Sequence, residues 1–269
     1  MFLRLLAIEI RKTLKLPALW IGLSALSFLL ALIILNEHAQ IANGYQPASG
    51  GLEQDLLTGL SYYTWIGILV YAVTASVIAA SDYPDRSIQL WLTRGVPRSI
   101  LLLSRLTVIL FFGLLMVVMT FIAILVLASL SRLIFFSSVD ASNLNPLALL
   151  PTILRIYWSS LPYLALTMLF AVISRSPFFA AGGTIIYGTV LESILMRLGD
   201  RFPTLVRYLP AQLAQVLQIQ NVTLDRLALL PLRETAIMPE TQAILAIGVI
   251  FIILSSVSLF LFSRQDLGG

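Results

Sequence analysis

The sequence of 269 residues contains no cysteine and a single histidine, and only 11% of its residues are charged. Without cysteine there is no disulfide, no thiolate nucleophile and no cysteine-based metal site. One histidine, His38, removes most zinc sites and the Ser-His-Asp type of hydrolase. Soluble domains carry about 25% charged residues, so this chain has too few charges to cover a water-facing surface.

Hydrophobic residues make up 59% of the chain, and its mean hydropathy is +0.95. Both values are typical of a protein whose solvent is lipid, and a soluble enzyme is nearly excluded. Lys and Arg number 17 against 13 Asp and Glu. This excess is too small and too scattered for nucleic-acid binding, so we expect a membrane protein that binds no nucleic acid.

Six runs of the sequence have the length and low charge of a transmembrane helix, which needs about 20 mostly apolar residues. They cover residues 18–35, 56–81, 106–131, 156–174, 176–196 and 241–263. Backbone groups inside lipid must be hydrogen-bonded within their own segment, so each run is predicted to be helical. The predicted fold is all-α, a single transmembrane domain of residues 1–269 with six spans.

The distribution of Arg and Lys predicts the orientation of these spans. With both termini in the cytoplasm, the inner connections carry Arg and Lys at a higher density than the outer ones. The first outer connection, residues 36–55, has neither residue type. The long outer connection, residues 197–240, contains several Arg, but long loops weigh less in setting orientation. Both termini and residues 82–105 are therefore expected in the cytoplasm.

Residues 1–17 are predicted to form a basic amphipathic helix at the inner membrane surface. At 100° per residue, the basic residues share one arc, and most of the apolar residues lie opposite. The basic residues are Arg4, Arg11, Lys12 and Lys15. Pro17 then turns the chain into the first span. The alternative is that these residues are only the frayed beginning of that span.

The inner connection of residues 82–105 is longer than a turn between two spans requires. Its apolar residues from Ile88 to Leu92 predict a short amphipathic helix, which Gly95 and Pro97 end. Such a helix could contact a partner at the cytoplasmic face. The alternative is a basic loop that rests on lipid headgroups.

The outer connection of residues 197–240 is also predicted to be structured. Pro210 stands at the first position of a short helix whose apolar residues recur at 213, 216 and 217. Residues 225–232 are a candidate for a second helix. We expect a compact helical cap at the outer surface.

Several kinds of chemistry are missing from the sequence. Neither lysine follows a glycine, so there is no phosphate-binding P-loop, and no connection could house a nucleotide-hydrolysing domain. Motifs for a metalloprotease or a serine hydrolase are absent as well. We therefore expect no catalytic residue, no metal site and no cofactor, and a proton-coupled transporter would need more ionisable residues inside the membrane.

Glu192 is the one charged residue inside a predicted span. It lies sixteen residues after Ser176, roughly 24 Å along the fifth span and near its outer end. It is a candidate for a pathway or gate residue that contacts substrate. The interpretation favoured by its position is a helix-end residue that reaches outer water or pairs with Arg197 or Arg201. His38, in the outer connection, is expected to be solvated.

The order of these parts resembles the membrane subunit of a type 2 ATP-binding-cassette (ABC) exporter. The local likeness lies in Asp82-Tyr83-Pro84-Asp85-Arg86-Ser87-Ile88-Gln89-Leu90-Trp91-Leu92-Thr93-Arg94-Gly95-Val96-Pro97-Arg98. An acidic-aromatic start, a hydrophobic helix and a Leu-x-x-Gly/Pro-x-x-Arg end are similar to the coupling region of that family. Arg86-Ser87 replaces the usual Gly-Thr, and Arg105 stands where Lys is common. Residues 171–176 resemble the family's tight inner turn.

The resemblance implies a mechanism and partners. Two such permease subunits, a homodimer or a pair of paralogues, would bind two copies of a separate ABC ATPase, with spans one, two and five along the path. The residues expected to couple to the ATPase are Asp82, Asp85, Arg86, Trp91, Arg94 and Arg98. The alternatives are an ATP-independent secondary transporter, a structural membrane subunit and, least favoured, an enzyme that acts on lipids. The sequence does not identify the substrate.

Overall fold

The computed structural model of the protein describes residues 2–44, 51–83, 88, 91, 93–137, 146–198, 201–219 and 238–265. All of the regular structure in these residues is helical, which confirms the predicted all-α class. The helices are α1 (Phe2–Leu14), α2 (Pro17–Ala42), α3 (Leu52–Ala80), α4 (Arg98–Phe136), α5 (Pro146–Ser174), α6 (Pro177–Arg197), α7 (Pro203–Arg207), α8 (Pro210–Ile219) and α9 (Glu240–Arg264).

Five of the described helices are long and apolar enough to cross a membrane: α2, α4, α5, α6 and α9. The predicted second span falls in α3, a helix of 29 residues whose apolar stretch is Ile66–Ala80. Multiple apolar helices of this kind are typical of a multi-pass membrane protein. Six spans remain a prediction.

The helices extend beyond the runs from which they were predicted. α2 continues to Ala42, so the predicted outer connection of residues 36–55 begins and ends within helices. α4 has 39 residues and begins at Arg98, so the last part of the predicted 82–105 connection belongs to it. At 1.5 Å per residue α4 is about 58 Å long, well beyond the roughly 30 Å of a hydrocarbon core. The boundaries differ because a charged residue ends an apolar run without ending a helix.

The helices α3, α4 and α5 pack against one another at the centre of the bundle. Around them, α2 lies on α3 and α4, α6 lies on α3 and α5, and α9 lies on α5 and α4. We use "α1 end" for the end that holds α1, Asp82, Arg98 and Val172. We use "α8 end" for the opposite end, where α8 packs on α5 and α9.

The connection between α5 and α6 is a tight turn, as predicted. Only Arg175 and Ser176 separate the two helices. Arg175 adopts a left-handed conformation with φ 55°, and its N–H donates to the Ala171 carbonyl at 3.0 Å. This turn brings the start of α6 back against α5.

A helix is present at the predicted N-terminal position, as α1. Leu5, Glu9 and Thr13 are buried against the protein, whereas Leu3 is 76% exposed. These buried positions recur every fourth residue because α1 packs lengthwise against α4.

The helix predicted from Pro210 is confirmed as α8. Its predicted apolar positions, Leu213, Val216 and Leu217, are all buried. The second candidate helix of that connection, residues 225–232, lies outside the described residues.

Candidate functional site

At the α1 end, the first residue of the predicted coupling segment joins two helices. The carboxylate of Asp82 accepts from Arg105 of α4 through Oδ2 and from Lys12 of α1 through Oδ1. Asp82 is 4% exposed and Arg105 is 1% exposed. A second guanidinium nitrogen of Arg105 donates to the Ala79 carbonyl at 2.9 Å, near the end of α3. Three helices are thus linked through the start of the segment.

Glu9 of α1 is buried beside this cluster. Burial raises the pKa of its carboxyl and the charge of Asp82 adds to the rise, while Arg105 and Lys12 act in the opposite direction. The cluster therefore contains two carboxyls and two cations, with Asp82 as the directly paired acid.

The segment itself folds back onto the protein. Ile88 and Val96 are buried, and Trp91 packs, partly buried, against the hydrophobic core. Val96 N–H donates to the Trp91 carbonyl at 3.2 Å, across Gly95, whose φ is +77°. The guanidinium of Arg94 lies 5.9 Å from the centroid of the Trp91 ring.

The six predicted coupling residues have different environments. Arg94 is exposed, whereas Asp82 is buried and Trp91 is half-buried. Asp85 and Arg86 lie outside the described residues.

Arg98, at the start of α4, is engaged within the chain. It donates to the Ser263 carbonyl at 3.1 Å and to the Gln265 carbonyl at 2.6 Å. The side-chain amide of Gln265 in turn donates to the Val172 carbonyl of α5. The end of the segment is therefore connected to α9 and α5, as its beginning is connected to α1 and α4.

Glu192 lies towards the α8 end and is completely buried, at 0% exposure. The favoured expectation that it reaches outer water is therefore wrong. The hydroxyl of Tyr163 on α5 donates to Glu192 Oε2 at 2.7 Å. A π-helical turn, Ile186–Leu191, precedes it directly, and the Glu192 N–H bonds to the carbonyl of Tyr187. π-turns within α-helices are frequent at functional sites.

A second buried polar cluster at the α8 end was missed by the sequence analysis. His38 is 2% exposed, so the expectation that it is solvated is wrong. Its Nδ1 lies 2.6 Å from Ser131 Oγ, and its Nε2 lies 3.1 Å from Asp55 Oδ2. The same Asp55 oxygen accepts from Arg132 Nε. This cluster joins α2, α3 and α4.

These ionisable side chains were missed because each belongs to a different helix. Asp55 lies in the first turn of α3, and Arg132 lies near the end of α4, 77 residues away. The sequence contains one signal of this cluster. Its ionisable residues all border charge-free runs, at helix ends that an antiparallel bundle brings together. Within the described residues, no group of three or more His, Asp and Glu could hold a metal ion.

The family model described as Protein of unknown function (DUF2705) matches residues 21–267, and the chain belongs to this family. No curated protein matches the chain significantly. The family description names no activity.

Proposed function

We propose that this member of the family is the permease subunit of an ATP-driven ABC exporter. In this proposal, the segment 82–98 binds a separately encoded ATPase, and a second permease subunit, identical or paralogous, completes the membrane pore. The observation that supports it best is the position of Asp82, which opens the segment and is ion-paired to both Arg105 and Lys12.

The two ends of the segment explain how a push on it would move the membrane helices. Asp82 connects its beginning to α1 and α4, and Arg98 connects its end to the last residues of α9. Closure of an ATPase dimer beneath the segment would therefore shift several helices together. The chain has no P-loop of its own, so the energy must come from a separate ATPase.

The exposed part of the segment is the proposed contact with the ATPase. Arg94 is exposed and stacks near Trp91, which holds the segment on the core. Charged residues at an interface set partner choice and the association rate, so Arg94 is suited to select its partner. In this arrangement the α1 end faces the cytoplasm, α3 is the second of six spans, and both termini are cytoplasmic.

Co-purification with a candidate ABC ATPase that is co-expressed with this chain tests the proposal. Arg94→Glu should weaken the complex about tenfold, which corresponds to about 1.4 kcal/mol. The matched control is Arg201→Glu, because Arg201 is exposed in the α7–α8 region. Equal retention of the ATPase by both variants and the unchanged chain would count against the proposal.

An ATP-independent secondary transporter is the second candidate. It is favoured by the buried ionisable side chains, which are more numerous than the sequence suggested. They are Glu192 and the cluster of His38, Asp55 and Arg132. Buried ionisable groups within membrane helices often mark ion pathways. Cargo movement by the purified chain in proteoliposomes that lack both ATPase and ATP would favour this candidate.

A further inference from the structure

The carboxyl group of Glu192 is buried, and the described residues include no cationic partner for it. No Lys or Arg side chain in the described part of the chain forms an ion pair with it. Tyr163 donates to Oε2, and Tyr187 and the backbone N–H of Ala211 interact with the same carboxyl. Oε1 nevertheless accepts no hydrogen bond from the described residues.

These neighbours leave Oε1 of Glu192 without a hydrogen-bond partner, whether the carboxyl is charged or protonated. As a carboxylate, the group carries a buried negative charge without a cation, which is costly in an apolar interior. As a carboxylic acid with its proton on Oε1, it presents an O–H donor for which no acceptor is in place. A bound group that is both positively charged and a hydrogen-bond donor satisfies the carboxylate form, because it supplies the missing cation and donates to Oε1.

The surroundings of Glu192 suit such a group. Tyr163 and Tyr187 both approach the Glu192 carboxyl with their hydroxyl groups, and tyrosine rings in general attract cations. Gly188 packs closely on Tyr163, because a Cβ there would lie 3.2 Å from the ring. Tyr187 is only partly buried, and its neighbour Ile186 is 60% exposed. The turn of α6 that precedes Glu192 is therefore not fully enclosed by the described residues.

We propose that Glu192, Tyr163 and Tyr187 form a binding site for an ammonium group that retains at least one N–H. Such a group is carried by amine-bearing cargo and by amine-bearing lipid headgroups. The place of this site on a transport path rests on the proposed function, whereas the binding itself needs only this chain.

Calorimetry on the full chain in phosphatidylcholine nanodiscs tests the site, with empty nanodiscs as the baseline. Phosphatidylcholine is a suitable lipid because its quaternary headgroup has no N–H. Three probes of equal chain length are compared: hexylamine, hexyltrimethylammonium and hexanol. Hexylamine should bind at least about tenfold more tightly than the other two, the difference expected for a charge-assisted hydrogen bond.

Variants identify the side chains responsible. Glu192→Gln should weaken hexylamine binding about tenfold or more, and Tyr187→Phe should weaken it several-fold. Glu240→Gln is the matched control, because Glu240 is partly exposed and paired with Arg155 at the same end of the bundle. It should bind hexylamine as the unchanged chain does.

The lipid source and the cargo source are separated by changing the nanodisc. If a lipid headgroup occupies the site, phosphatidylethanolamine should weaken hexylamine binding to the unchanged chain by competition. If only cargo does, both lipids should give the same affinity.

Equal binding of all three probes would overturn the proposal, as expected if water alone fills the position beside Oε1. Unaltered hexylamine binding by a folded Glu192→Gln chain would overturn it too. The probe comparison on the unchanged chain decides the matter if that variant does not fold. Since no ATPase is present, failure of the proposed exporter function would leave the binding result intact.

Discussion

Arg105 and Asp82 form an ion pair that is almost completely withdrawn from solvent, at the point where α3 ends and the 82–98 segment begins. Arg105 serves two acceptors at once, Asp82 and the Ala79 carbonyl. A buried pair of this kind does little for net stability compared with an apolar pair, but it fixes the geometry of its neighbours. Here it fixes the segment relative to α4.

Removing one member of this pair should destabilise the protein strongly. Arg105→Met removes the buried cation that pairs with Asp82, and we expect a loss of about 3 kcal/mol or more in the free energy of unfolding. Arg105→Lys keeps the charge but cannot donate to both acceptors in the same planar geometry. Its loss of stability should therefore be smaller than that of Arg105→Met. Chemical unfolding in detergent measures both, with Arg201→Met as the exposed control. Equal stability of Arg105→Met and the control would contradict the buried pairing.

Glu9 predicts a pH dependence of stability. Burial raises the pKa of its carboxyl above the ordinary value of 4.5. The folded chain therefore holds this proton more tightly than the unfolded chain, and stability falls as pH rises through the raised pKa. Glu9→Gln should remove this contribution, so the variant should gain stability relative to the unchanged chain as pH increases. Melting temperatures from pH 4 upward, with Glu240→Gln as control, would show a constant difference if Glu9 did not titrate there.

The cluster around Asp55 should show unequal effects of its members. Asp55 Oδ2 accepts from both His38 and Arg132, so Asp55→Asn disturbs two contacts and takes away the carboxylate that pairs with the buried Arg132. We expect a loss of about 3–5 kcal/mol for Asp55→Asn and a smaller one for His38→Gln. Unfolding in detergent compares the two variants. A larger loss for His38→Gln would show that Arg132 does not depend on Asp55.

The membrane orientation can be tested because the chain has no native cysteine. Arg94 and Arg201 are both exposed, and the positive-inside bias predicts that they lie on opposite sides of the membrane. In intact cells, an impermeant thiol reagent should label Arg201→Cys and not Arg94→Cys. The reverse labelling pattern would show the opposite orientation in the membrane. A cytoplasmic ATPase could not reach the segment in that orientation.

The helices could be predicted from the sequence because long apolar runs leave the backbone no alternative in lipid. α8 was also predictable, since Pro210 and the spacing of Leu213 and Leu217 mark its start and its buried face. Boundaries were less accurate. α4 begins at Arg98 and α2 continues past His38, because charged and polar residues near a span remain helical when partners lie within reach.

The polar clusters were not predictable from the sequence. The pairing of Asp55 with Arg132, and of Tyr163 with Glu192, depends on which helices are neighbours in space. Periodicity gives the face of one helix but not the identity of the helix opposite. For this reason Glu192 was expected at a wet helix end, although α5 and the residues around Ala211 enclose it.

Cross-linking between the 82–98 segment and the ATPase is the most direct measurement, and it needs no knowledge of the cargo. A thiol cross-linker carried by Arg94→Cys should join the chain to its co-expressed ATPase, whereas Arg201→Cys should not. Trp91→Ala combined with Arg94→Cys should reduce the yield, because Trp91 holds the segment in place. If Arg94→Cys forms no product with a co-expressed ATPase, or Arg201→Cys forms as much, the segment is not the coupling element of an ABC exporter.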